Sequence, residues 1–393
     1  MRALAARLDV RLVAPAAADR AGDGAAALET AGVAPLILSA TRTLAGESVK
    51  ALRAAIDQEP YVLFARHRRP PVLDTLRHEI AGRAPSVLYL DHLDSLVYAD
   101  ALPSIPVVID MHNVYSRLVA RMAVGSGVIR RRYLERESIL LEKMERRAVA
   151  TAHTVLAVSA DEAAYFRALG ARRVVVVPNG VDCQAYATVP MGDRSSPPTL
   201  LFVGALDWPP NVDAVRFLIS DVMPAVRTEM PEARLMIVGR DPSPDLLALA
   251  AAAPHVEVAS NVKDVRPYYE TAHALLVPLD AGGGTRLKIL EAFAAGVPVI
   301  STPVGCEGLD VVPGTHLLVT DKTEMAAAAA KLLRRRDRAR VLAICGRTLA
   351  RERYDWSIVG GLAVDAVVAA AAPAGRAWPQ QGVNVPAAWV HAQ

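Results

Sequence analysis

ALLVPLDAGGGTRLKILEAFAAGVPVISTPVGCEGLD, residues 274–310, reads as a buried strand, a glycine loop, a helix and a second buried strand in unbroken succession. Ala274–Pro278 and Val299–Thr302 are the strands, and the helix starts at about Thr285. A strand–loop–helix–strand unit with apolar strands predicts a parallel sheet covered by helices. Gly282, Gly283 and Gly284 allow the backbone to approach a ligand closely, and the first helical turn leaves amide groups aimed outward. With the helix dipole these make an anion site of the kind that takes a phosphate or diphosphate. Arg286 and Lys288 put cations in a first turn that ordinarily favours acids, a local misfit that a bound anion would relieve. Glu291 lies two turns in, where its carboxylate could accept from the vicinal hydroxyls of a ribose. The competing reading is a surface ion pair with Lys288 or Arg286, worth only a few tenths of a kcal/mol. The apolar run into the following strand places Glu291 at a sheet's ligand-binding end and favours the ribose.

The same pattern recurs on both sides. LLFVGALDWPPNVDAV, residues 200–215, is a strand, a turn at Gly204 and a helix from about Asn211. Asp207 and Asn211 are candidates for sugar hydroxyls, and Asn211 fits a plain helix cap equally well. VVIDMHNVYSRLVARM, residues 107–122, sets His112 and Asn113 immediately after a strand, and VVVVPNGVD, residues 174–182, ends a strand in a Pro-Asn-Gly turn. Further strands are expected at Val10–Ala14, Pro35–Ser39, Tyr61–Ala65, Val87–Leu90, Val107–Asp110, Thr154–Val158, Val174–Val177, Leu200–Val203, Leu235–Val238, Val256–Val258 and Leu317–Val319. The expected class is therefore α/β with doubly wound sheets.

At 393 residues the chain suits two such domains. The Pro-, Gly- and Ser-rich stretch Thr188–Pro198 is the natural boundary. The expected divisions are 1–190, 191–354, a helix over 355–372, and a loose tail over 373–393. The chain opens in helix and then enters a strand, so the strand and glycine loop that usually begin a doubly wound domain read as missing. A net charge of +3 gives no ground for nucleic acid as a partner. Cys183, Cys306 and Cys345 match no zinc or redox spacing, which suits free thiols in a reducing compartment. No run approaches the ~18 apolar residues of a membrane span, and Met1 leads straight into a charged segment. A cytoplasmic protein is expected. Basic clusters at Arg66–Arg69, Arg130–Arg132 and Arg334–Arg336 raise association with the inner face of the plasma membrane, with solvated helix faces as the alternative.

From about Val107 to Trp356, the HN pair after a strand, VPNGVD, the FVG and IVG strands, and GGGTRLKILEAFAAGVPVISTPVGCEGL resemble, in this order, family 4 retaining glycosyltransferases. The bacterial branch that builds exopolysaccharide is the nearest in look. The resemblance implies a GT-B fold, two Rossmann-like domains facing across a cleft, and a nucleotide-diphosphate sugar as donor. A glycan, lipid-linked or small-molecule acceptor would complete the reaction, without a cofactor. It places His112 beside the transferred sugar, Glu291 at the ribose, and residues from about Tyr354 to Ala372 in the last helix. The family's first donor-side Glu falls at Gly283, so another group must hold the sugar hydroxyls. Its usual Arg and Lys fall at Ala205 and Pro210, and Arg286 and Lys288 are the candidates to replace that charge. The sequence holds no Asp-x-Asp motif, so no metal clamp is expected. An epimerase or hydrolase of the same fold, or a non-catalytic partner in a glycan-assembly complex, are the other readings.

Overall fold

A computed structural model of the chain describes residues 1–16, 25, 28–39, 43–102, 105–124, 126–187, 197–281, 286–372 and 387–391. Strands β1 (Val10–Ala16), β2 (Ala34–Ser39), β3 (Val87–Asp91), β4 (Val107–Met111), β5 (Thr154–Ala157) and β6 (Val174–Val176) come first in the chain. They are followed by β7 (Thr199–Val203), β8 (Arg234–Gly239), β9 (Val256–Ser260), β10 (Ala274–Val277), β11 (Val299–Ser301), β12 (Leu318–Val319) and β13 (Ala387–His391). They form two sheets, ordered β2-β1-β13-β3-β4-β5-β6 and β12-β11-β10-β7-β8-β9. Each pairing between these strands is parallel.

The chain divides into two compact units, Met1–Pro178 with Val359–Gln393, and Asn179–Ile358. The first break comes earlier than the expected 190/191 because the residues after Pro178 join the second unit. Val181 pairs with Asp355, and Cys183 and Tyr186 lie in the second unit's core. Residues 188–196 of the expected linker lie outside the described residues. The second break falls inside the helix Trp356–Ala371.

Continuous apolar strands form inside each sheet, where β5, β10 and β11 are buried along their whole length, and the outer strands β6, β9 and β12 are only partly buried. In β3, Leu88 and Leu90 enter one core cluster with Val13, Ile109 and Val155. Val87 and Tyr89 enter another with Leu4, Leu12, Leu156 and Val364 of the last helix. The period of two that separates these clusters is the alternation of side chains along a strand. The second unit packs Phe202, Leu235, Leu275 and Ile300 from its strands against Ile289 and Phe293 of the helix Leu287–Ala294.

Two expectations fail. Tyr61–Ala65 is not a strand but a set of turns running into a short 3-10 helix, Ala65–His67. Its apolar content serves a buried loop: Phe64 and Ala65 are buried, while amides of Ala65 and Arg66 reach back to the carbonyls of Pro60 and Tyr61. In the stretch read as a loose tail, Ala387–His391 forms β13, which lies between β1 and β3. The position between β1 and β3 is thus taken by a strand from the far end of the sequence. Its register pairs Ala387 with Val87 and His391 with Asp91.

Candidate functional site

In the second unit the polar groups gather where β7 and β10 end, beside the start of the helix Leu287–Ala294. Lys288 extends its ammonium to Asn211, with Nζ donating to Oδ1 at 3.0 Å. The same Nζ sits 4.3 Å from the centre of the Phe202 ring. Asn211 is buried, and its Nδ2 donates to the Ala205 carbonyl at 2.9 Å. Trp208 is the N-cap of the helix Pro209–Phe217, so Asn211 is not a cap: it bridges a loop carbonyl to a lysine. Gly204 makes room for this, since a Cβ there would come within 2.8 Å of Lys288 Nζ and 2.9 Å of Asn211 Nδ2. Burial first, and then the neighbouring Arg286 charge, lower the Lys288 pKa to about 7. Lys288 therefore brings a cation to the Ala205 loop, where the family pattern had left one missing.

Arg286 caps the helix Leu287–Ala294 and is itself buried, with Nη2 donating to the Val304 carbonyl at 3.2 Å. Glu291 is held by tyrosine hydroxyls rather than by an ion pair with Lys288 or Arg286. Its Oε2 accepts from the Tyr269 hydroxyl at 2.9 Å, and Tyr186 adds a second hydrogen bond. Burial raises its pKa against the opposing effect of these hydroxyls. Asp207 is exposed and takes no part in this set. Gly282, Gly283, Gly284 and Thr285 lie outside the described residues.

In the first unit the corresponding strand ends carry a second cluster. Nε2 of His112, just past β4, lies 2.8 Å from Asp91 Oδ1 at the end of β3 and 3.8 Å from Asp110 Oδ2. His92 stacks on His112 with ring centres 3.8 Å apart and sits 3.1 Å from the same Asp91 oxygen. It does so with φ at 69°, a left-handed backbone that a non-glycine residue adopts only at a cost of about 1–3 kcal/mol. Tyr89, fully buried, donates to Asp110 Oδ2 at 2.5 Å. Burial alone would lower the His112 pKa. The hydrogen bond to Asp91 and the charges of Asp110 and Asp91 outweigh it and raise the value to about 9. Asn113, half-buried, is hydrogen-bonded to the Tyr115 hydroxyl. Among the described residues, Asp91, His92 and His112 are the one set whose donor atoms lie near enough, within 4.8 Å, to share a metal ion.

Of the residues singled out in the sequence, the structure brings Lys288, Asn211 and Gly204 together, with Arg286 and Glu291 close by on the same helix. It sets His112 and Asn113 in their own cluster of the first unit. The partners Asp91, His92, Asp110, Tyr89, Tyr186 and Tyr269 were not anticipated. Asp91 and His92 carried a readable signal, because DH directly after the strand VLYL repeats the placement of HN after VVIDM. The tyrosines carried none: Tyr89 sits in an apolar strand that reads as core, and Tyr186 and Tyr269 lie in mixed segments without a motif.

A family model described as Glycosyltransferase Family 4 matches residues 1–185, and one described as Glycosyl transferases group 1 matches residues 197–335. The chain belongs to the family 4 glycosyltransferases. It is 28% identical over 192 residues to a phosphatidyl-myo-inositol mannosyltransferase of Mycobacterium leprae, covering 47% of this chain and 50% of that protein. A glycogen synthase of Mycobacterium tuberculosis is 28% identical over 221 residues, with 54% and 51% covered. The chain thus spans about half the length of the curated relatives it matches. Among solved structures, Anabaena HepE in complex with UDP superposes with a TM-score of 0.64 at 14% identity, covering 92% of this chain and 100% of that one. Sucrose-phosphate synthase from Thermosynechococcus elongatus gives 0.63 at 18% identity, with 92% and 99% covered. At such identities the likeness is one of fold, and the fold of this family 4 glycosyltransferase is GT-B. Among the described residues no helix is long and apolar enough to cross a membrane.

Proposed function

We propose that the chain transfers a sugar, with retention, from a nucleoside-diphosphate sugar to a glycan, lipid-linked or small-molecule acceptor in the building of a surface polysaccharide. The carrying observation is the Lys288–Asn211 pair seated in the space left by Gly204, beside Arg286 and Glu291 at the ends of β7 and β10. A lysine held partly neutral by burial recovers its charge when an anion arrives, so the group is suited to a diphosphate. Glu291, held by two tyrosine hydroxyls, presents a fixed carboxylate for ribose hydroxyls. In the reaction the bond from the anomeric carbon to the diphosphate oxygen breaks. The acceptor oxygen bonds that carbon on the same face, and its proton passes to the departing diphosphate oxygen. Stabilising the leaving diphosphate is then the main demand on the protein. Lys288 and Arg286 meet it by charge, without a metal or cofactor.

Thermal-shift screening with UDP-, GDP- and dTDP-sugars should raise the melting temperature with one of them. A product assay with that donor and a panel of acceptors should then yield a new α- or β-glycoside keeping the donor's anomeric configuration, unaffected by EDTA. An inverted product refutes the retaining route. Release or epimerisation of the sugar without any glycoside refutes transfer. Loss of activity on chelation refutes metal independence and turns attention to Asp91, His92 and His112.

A further inference from the structure

The helix Val128–Thr151 buries side chains only from Glu137 onward. Of its first nine residues, Val128–Arg136, Leu134 alone packs against the core and the other eight are exposed. At this tip Ile129 is 88% exposed and Val128 69%, and Val124, at the end of the preceding helix Tyr115–Ala123, is 83% exposed. These are among the most exposed large apolar side chains of the described residues, and they lie within six positions of one another. Helical spacing places Ile129, Arg132, Tyr133 and Arg136 on one face. Arg130, Arg131 and Arg132 follow directly, and Glu135 is the one acid in the segment.

The three basic clusters seen in the sequence are not equivalent in the structure. Arg68 pairs with Glu59 at 3.1 Å, Arg334 with Glu229, and Arg335 with Asp337 at 3.3 Å. At this tip Arg131 pairs with Glu135 at 2.7 Å, but among the described residues Arg130 and Arg132 have no ion pair. Exposed aliphatic side chains interleaved with uncompensated arginines suit a surface that is apolar within and anionic at its boundary.

We propose that the tip formed by Val124, Val128, Ile129 and Tyr133 inserts shallowly into a bilayer of anionic phospholipid, with Arg130 and Arg132 on the headgroup phosphates. Arginine and tyrosine keep their polar ends at the headgroup level while their stems and rings meet the acyl region. A second protein partner is disfavoured by the positive charge concentrated on so narrow a tip. The inference stands independently of the transfer reading.

The test is co-sedimentation of the full chain with phosphatidylcholine vesicles, with and without about 30% phosphatidylglycerol, at low and at high salt. Binding should require the anionic lipid and weaken with salt. Arg130→Gln with Arg132→Gln should weaken it roughly 25-fold, about fivefold per arginine. Val128→Ser with Ile129→Ser should weaken it by about tenfold or more at constant charge. Arg334→Gln with Arg335→Gln, which removes the same charge from paired positions, should leave binding within about twofold. Circular dichroism confirms that each variant is folded. Equal loss in the control pair, binding to neutral vesicles alone, or an Ile129→Ser change that dissociates a lipid-free dimer would each overturn the proposal.

Discussion

The neutralised lysine makes a quantitative demand on donor binding. With a pKa of about 7, Lys288 is roughly 90% uncharged at pH 8 and roughly 10% uncharged at pH 6. A diphosphate placed on Nζ supplies the opposite charge that burial and Arg286 deny it, and returns the group toward its ordinary value of 10.5. Binding at pH 8 should therefore take up about 0.9 proton, falling to about 0.1 at pH 6. Donor affinity should be level below pH 7 and weaken about tenfold per pH unit above it. Calorimetry of a nucleotide sugar, whose diphosphate does not titrate near neutrality, in two buffers of different ionisation enthalpy measures the uptake directly. Lys288→Met should abolish the buffer dependence and weaken binding by about 10- to 150-fold, the worth of a hydrogen bond to a charged group. The same shift has a signature in folding. Between pH 7 and 10.5 the unfolded chain binds more protons at this site than the folded one, so the site's contribution to stability rises with pH across that window. Binding without proton uptake at pH 8, or with the same uptake in the Met variant, would refute the placement of the diphosphate on Lys288.

Asp91→Asn should let the His112 pKa fall from about 9 toward its ordinary 6.5, as read by NMR titration of the ring. His112 stabilises the native state fully below about pH 6.5 and loses that contribution as pH rises through 9, so the variant's stability should vary less over this span. An unchanged ring titration would show that Asp91 does not hold the charge. Gly204→Ala directs its methyl at the side-chain ends of Lys288 and Asn211, which must shift, and should weaken donor binding with a smaller loss of melting temperature than a clash with backbone brings. Gly239→Ala directs one at the Gly204 carbonyl oxygen, where backbone must move, and should cost about 1–3 kcal/mol or more. Parallel melting curves and donor titrations check both, and equal melting temperatures would contradict the distinction. Deleting residues 387–393 removes the strand between β1 and β3 and leaves their facing amides and carbonyls unpaired. Limited proteolysis should then cleave the first unit and spare the second; uniform resistance would exclude β13 from the sheet.

The α/β class was legible because parallel strands buried on both faces write themselves as uninterrupted apolar runs, and VLYL, VVI, LLFV and ALLV are such runs. Tyr61–Ala65 deceived by the same sign, since a buried loop around Phe64 is as apolar as a strand and five residues are too few for a period to decide. β13 was illegible for another reason: a strand taken into a sheet from hundreds of positions away is fixed by the gap it fills, which no local pattern records. Glu291 was read to the right helix and the right end of the sheet. Its hydrogen bond to Tyr269, 22 positions away, depends on how the helices Arg266–Thr271 and Leu287–Ala294 pack, and spacing alone could not supply it.

The charge state of His112 bears on the proposed chemistry. His112, at about 9, is an imidazolium at neutral pH, because two aspartates at the ends of β3 and β4 outweigh its burial. An imidazolium has no lone pair to accept the acceptor's proton, so His112 is poorly suited to be the general base. It is suited instead to donate a hydrogen bond. On the proposed same-face route the base is the departing diphosphate oxygen. This is the demand of a retaining, same-face displacement, and it agrees with a second unit that concentrates cations rather than carboxylates at its helix start. The pH profile of kcat separates the possibilities. A rate that falls as a group near 9 loses its proton fits His112 as donor; a rate that climbs through the same pKa would make His112 the base and would leave the same-face route without its main support.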